Sequence, residues 1–109
     1  MDEDQSAARF LAVVEQIEKT APVVIDATGA ALIAAIYLGI GSDSRSLSNK
    51  LGIAHAIALR SISSLSGRLL KVAKRDTRTQ RTFIELTDEG KALAHSASDV
   101  RLKRTLSES

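Results

Sequence analysis

Residues 23–41, VVIDATGAALIAAIYLGIG, set the tightest limit on how this chain folds. Read as a helix over about 26–39, the segment is apolar on nearly every face, and such a helix has to be surrounded. A bilayer is one way to surround it. Asp26, Thr28 and Gly29 interrupt the run, however, and the clean remainder is about 11 residues, short of the roughly 20 that span a membrane. The expectation is therefore a buried core helix and no membrane contact. Asp26 or Thr28 would be its N-cap and Gly39-Ile40-Gly41 its end.

The chain has 109 residues, one domain's worth, and only 3% are aromatic among 44% apolar residues. The core must then be aliphatic, and Ala and Leu favour helix over sheet. SAARFLAVVEQIEKTA, residues 6–21, reads as an amphipathic helix with Phe10, Val14 and Ile17 at i, i+4, i+7, Leu11 and Val13 beside them, and Pro22 as its stop. Residues 42–70 read as a short helix starting after Asp43 or Ser44 and ending at Gly52, then a longer helix from about Ala54 to Gly67 or Arg68. Two helices joined by a tight turn at a glycine give a helix-turn-helix outline.

The next residues complete that outline. Leu69-Leu70-Lys71-Val72 reads as a strand, KRDTRTQ as a polar loop and RTFIEL as a second strand, a β-hairpin. Thr87 then caps a last helix over about 88–104, with Asp88 and Glu89 in the first turn, where acids favour the positive helix end. The expected fold is mainly α with a small β-hairpin (α+β): one winged helix-turn-helix domain over 1–109.

Charge supplies the functional direction. The net charge is +2, but residues 60–81 hold seven bases (Arg60, Arg68, Lys71, Lys74, Arg75, Arg78, Arg81) and one acid, a local field that attracts polyanions. On the helix 54–67, Ile57, Ala58, Ser61, Ile62 and Leu65 fall on one side, and Ala56, Arg60, Ser63 and Gly67 on the other. A face of small side chains can sink into a major groove about 12 Å wide. Arg60 would pair with guanine or clamp a phosphate, Ser63 and Ser64 would donate to phosphate or bases, and His55 and Ala56 lie near the helix start, where recognition helices meet bases. Leu59 falls between the faces and is expected to pack under the hairpin. Lys74, Arg75, Arg78 and Arg81 would form the wing, one arginine in the minor groove and the others on phosphates. The bland alternative is a solvated helix face and a charged hairpin tip that only deters edge pairing.

Three stretches carry a resemblance. SLSNKLGI (46–53) is similar to an E-L-A-x-x-L-G-[IL] helix, GIAHAIALRSISSL (52–65) to a recognition helix, and RTFIELTDEGKAL (81–93) to a wing strand ending in L-T-x-x-G. Over roughly residues 24–95 the chain thus resembles the multiple-antibiotic-resistance regulator (MarR) family of bacterial winged-helix transcription factors. The resemblance implies a homodimer on a pseudo-palindromic operator, usually as a repressor released by a small-molecule effector. It places the wing arginine at Arg81, or at Arg78 after a one-residue shift. It also implies a dimer resting on residues 6–21 and 88–106, where Leu93, Ala97, Val100 and Leu106 supply apolar surface. Ala54 stands where the family has Ser or Thr as a cap.

Other functions fit less well. A winged helix can serve as a protein-interaction module without binding DNA. An enzyme is not expected: His55 and His95 are the only histidines, there is no cysteine, and no nucleophile motif, ligand spacing or phosphate-cradling loop appears. No cofactor is expected. The acidic start, MDEDQ, does not resemble a secretory or transit segment, and the expected location is the cytoplasm, on the nucleoid.

Overall fold

The computed structural model of the chain describes the backbone of residues 3–108 and the side chains of residues 7–99. Its order is α1 (Glu3–Thr20), α2 (Ala27–Tyr37), α3 (Ser44–Leu51), α4 (His55–Leu65), β1 (Leu70–Asp76), β2 (Arg81–Leu86) and α5 (Asp88–Glu108).

α2 is the hub. Ala30, Leu32, Ile33, Ala34 and Ala35 are fully buried, and Asp26 caps the helix by accepting from the Gly29 amide at 2.8 Å. Val13, Val14 and Ile17 of α1 cover one side of it; Leu47, Ile62, Leu65, Leu69 and Ile84 bring in α3, α4 and the hairpin. No helix among the described residues is long and apolar enough to cross a membrane.

The last helix departs from the expected use of its apolar residues. Leu93 and Ala97 are not surface: with Ala94 they are buried in the chain's own core, because α5 packs back on α1 and α2. Val100 and Leu106 lie outside the residues whose side chains are described. Leu11 of α1, by contrast, stands well exposed.

Two other boundaries differ from the expectation. α4 stops at Leu65, short of Gly67, because Gly67 takes φ +89° and its amide reaches the Leu70 carbonyl at 2.8 Å, turning the chain into β1. β1 in turn runs to Asp76, so Lys74 and Arg75 are strand residues and the loop is only 77–80. A bulge between Val72 and Lys74 shifts the register, and the ladder resumes with Lys74 opposite Phe83 and Arg75 opposite Thr82. The Asp76 carboxylate then closes the turn by accepting from the amides of Arg78 (3.1 Å) and Thr79 (3.4 Å).

The LTDEG stretch has a physical reading. The Thr87 amide donates to the Leu69 carbonyl at 3.1 Å, its hydroxyl donates to the Arg68 carbonyl at 2.7 Å, and it accepts from the Gly90 amide at 3.0 Å. Thr87 is therefore both the cap of α5 and the clip holding α5 to the root of β1. Arg68 and Glu89 repeat the link outside with a two-pronged ion pair (2.9 and 3.2 Å). Gly90 is needed for the approach, since a Cβ there would overlap the Leu69 carbonyl oxygen. Gly90→Ala is expected to cost about 1–3 kcal/mol by overpacking, read as a lowered unfolding midpoint. Lys91→Ala, at the exposed neighbouring position, should stay within about 0.5 kcal/mol.

Candidate nucleic-acid interface

Three elements meet at the start of α3. The Ser42 carbonyl accepts from the Ile84 amide at 2.9 Å, so residues 42–43 run along the free edge of β2. Asp43 caps α3 by accepting from the Ser46 amide at 2.9 Å. Its carboxylate also receives the Arg81 guanidinium at 2.7 Å. Ser44, fully buried, accepts from the Thr82 amide at 3.0 Å, and its Oγ lies 2.9 Å from His55 Nε2. One serine thus joins α3, β2 and the first residue of α4. Arg45 extends the brace to the tip, donating to Gln80 Oε1 at 2.7 Å, where Gln80 holds φ +58°.

The braced elements enclose a groove of about 350 Å³, with His55 and Leu59 on one wall and Arg75, Gln80 and Arg81 on the other. α4 and the cationic hairpin therefore open onto the same space. Arg75 and Arg78 are exposed, and neither makes an ion pair among the described residues. Lys74 is exposed, with its ammonium 5.8 Å from the centre of the Phe83 ring. Arg81 is turned inward to Asp43, and His55 to Ser44.

On α4, Ala56, Arg60, Ser63 and Ser64 are all exposed, and Arg60 makes no ion pair among the described residues. Arg60 and Ser64 border a second hollow of about 260 Å³, against Val24, Ile25 and Gly29 at the start of α2. None of the residues around this hollow lines the hairpin groove, so the structure divides the candidates: His55, Arg75 and Arg81 line the groove, Arg60 and Ser64 line the second hollow, and Ala56, Ser63, Lys74 and Arg78 line neither. Leu59 is half-buried against the core, as expected. Ile57 is not where its spacing put it: it is 43% exposed, while Ala58, Ile62 and Leu65 carry the buried face. About 100° of helical rotation separates Ile57 from Ala58, which leaves it at the edge of the face that Ala58, Ile62 and Leu65 bury. Asp43, Ser44 and Arg45 carry no motif that marks them as a brace; their role depends on β2, some 38 residues away.

Two titrating groups report on the brace. Burial raises the Asp43 pKa, but hydrogen bonds from Ser46 and Arg81 and the Arg81 charge outweigh it, leaving the carboxyl below its ordinary value. Burial, then the charge on Arg45, lowers the His55 pKa against a smaller opposing pull from Asp43. A neutral ring suits the geometry, because Ser44 accepts from Thr82 and has its own hydrogen free for Nε2. Both folded pKa values lie below the unfolded ones, so both groups contribute stability above their unfolded pKa that is lost as pH falls. His55 acts first, below about pH 6.5, and Asp43 below about pH 4. The unfolding midpoint should fall between pH 7.5 and pH 5, and His55→Gln should flatten that segment in a thermal melt series. A midpoint rising over that range would contradict the assignment.

A third hollow, about 730 Å³, lies between the end of α2, β2 and α5. Ile36, Ile84 and Leu86 form its apolar part. Tyr37 and His95, whose Oη and Nδ1 are 3.0 Å apart, form its polar rim.

No protein-family model matches the chain, and no curated protein sequence does. A solved structure does: ZitR of Lactococcus lactis, in its C30AH42A mutant form, aligns over 99% of this chain and 82% of its own, with 19% sequence identity and a TM-score of 0.59. The likeness is one of fold. The five helices and two-stranded antiparallel hairpin make a winged helix-turn-helix fold.

Proposed function

We propose that this chain is a sequence-specific double-stranded DNA-binding transcriptional regulator, similar to the MarR regulators and acting as a homodimer. α4 enters the major groove, and the β1–β2 hairpin lies on the flanking phosphates and minor groove. The observation that carries this reading is the shared groove: His55 and Leu59 of α4 face Arg75 and Arg81 of the hairpin across it, and Arg75 and, at the adjoining tip, Arg78 are exposed and make no ion pair among the described residues. A duplex offers both elements negative charge at close spacing, and backbone contacts fix the register while base contacts select sequence. The winged-helix regulator fold shared with ZitR supports the same reading.

Within it the residues divide. Arg60 reads a base or clamps a phosphate from α4, with Ala56, Ser63 and Ser64 giving close approach. Lys74 and Arg75 neutralise phosphates, and Arg78, at the hairpin tip, enters the minor groove. Arg81 and His55 act through the brace, by fixing the hairpin against α4. The dimer rests on α1 and α5, with Leu11 as its exposed apolar residue. Repression is the expected outcome. A small-molecule effector would sit in the hollow beside Tyr37 and His95, where it would bear on the strand carrying the wing.

Binding to a duplex selected from a random library should weaken steeply with salt, as counterion release requires. Arg60→Ala should cost about 1–3 kcal/mol and relax the sequence preference. Changing Lys74 and Arg75 together to Ala should weaken all sequences alike and reduce the log–log salt slope by about two units. Unchanged affinity in both variants, or passage of the protein through a heparin column at moderate salt, would favour a protein-interaction module instead.

Arg78→Ala and Arg81→Ala should separate contact from brace. The first should lower affinity with stability unchanged. The second should lower both, the stability by about 1–3 kcal/mol, because the buried Asp43 carboxylate keeps the Ser46 amide but loses its charged donor. Urea unfolding alongside DNA titration reads the two effects.

A further inference from the structure

Among the described residues three large apolar side chains stand exposed: Leu11 on α1, Val24 between α1 and α2, and Ile57 on α4. Leu11 lies on a helix assigned to the dimer, and Val24 lies in a connection. Ile57 is different, because it stands in the first turn of the helix whose outer face is otherwise small or polar. Ala56 precedes it, and Arg60, Ser63 and Ser64 come after it, all exposed. A single apolar side chain among hydroxyls and a guanidinium is far too small a patch for a protein partner.

The chemistry of the major groove offers such a side chain one match. Guanine, cytosine and adenine show only hydrogen-bond donors and acceptors along that edge, whereas thymine adds a 5-methyl group. An isoleucine pressed on a polar base edge removes water from it without giving a hydrogen bond back, which is unfavourable. Pressed on a methyl group, it buries apolar surface on both sides. Ile57 is also β-branched and stiff about χ1, so ordering it costs little. The first turn is where recognition helices meet base edges. Leu59 does not compete for this role, being packed against the core.

We infer that Ile57 is a specificity-determining residue that reads the 5-methyl group of a thymine in the major groove. The inference rests on the DNA-binding reading and adds to it a base and a readout. Ile57 selects by attraction to one base and by exclusion of the other three, while Arg60, one turn on, supplies the polar contact.

The test uses the full chain and duplexes enriched on it from a random library. Each thymine of an enriched duplex is replaced, one at a time, by deoxyuridine, which removes only the methyl group. At one position in each repeat of the site the replacement should weaken binding about fourfold, the value of one buried methyl-sized group. Ile57→Ala should bind more weakly and be indifferent to that replacement, and Ile57→Val should keep part of the discrimination. Indifference of the unaltered chain at every thymine overturns the inference, as does a full methyl effect that survives in Ile57→Ala. Enrichment without any methyl effect removes this inference and leaves DNA binding standing; failure to enrich any duplex removes both.

Discussion

The architecture depends on one buried hydroxyl. Ser44 holds the Thr82 amide of β2 and faces His55 of α4, with Asp43 holding Arg81 alongside it. Without those bonds, buried polar groups of β2 would lack partners, and each such loss costs about 1–3 kcal/mol. The hairpin has only two strands of its own, and an isolated pair of strands is marginal in water. The stretch at 42–44 supplies its missing edge, and Thr87 clips its root to α5. The hairpin is thereby rigid with respect to α4, although few apolar contacts join the two directly.

On the proposed function, rigidity of that kind has a use. A surface that must meet a duplex at two places gains affinity if the two places are fixed before contact, because ordering them during binding would cost free energy. The inward-facing residues, His55, Ser44, Asp43, Arg81 and Arg45, set the angle. The outward-facing residues, Arg60, Ser63, Arg75 and Arg78, would supply the contacts. The hollow beside Tyr37 and His95 borders β2 from its other side, so a molecule lodged there would press on the same strand.

Much of this was legible in the residues themselves. The buried helix, the turn at Gly52, the hairpin and the Thr87 cap all follow from local periodicity and capping chemistry, and the structure has them. Ala54 indeed makes no side-chain cap at the start of α4. What was illegible depends on distant neighbours. Lys74 and Arg75 look like loop residues until a bulge carries the ladder past them. Leu93 and Ala97 look like interface until α5 is seen folded onto α1 and α2. Arg81 looks like a free wing cation, yet its partner is Asp43, placed beside it only by the fold. Spacing groups Ile57 with Ala58, Ile62 and Leu65, but it lies about 100° around the helix from Ala58 and about 140° from Ile62, at the edge of the buried face, and is left outside.

The central claim is that α4 and the hairpin hold one duplex from adjacent grooves. The chain has no cysteine, so Thr79→Cys at the hairpin tip gives a single attachment point for a DNA-cleaving iron chelate. On a selected duplex the account predicts cleavage confined to a minor groove about half a helical turn, roughly 5 base pairs, from the major-groove segment that the protein protects. Cleavage spread evenly along the duplex, or no greater than that from the free chelate, would contradict it.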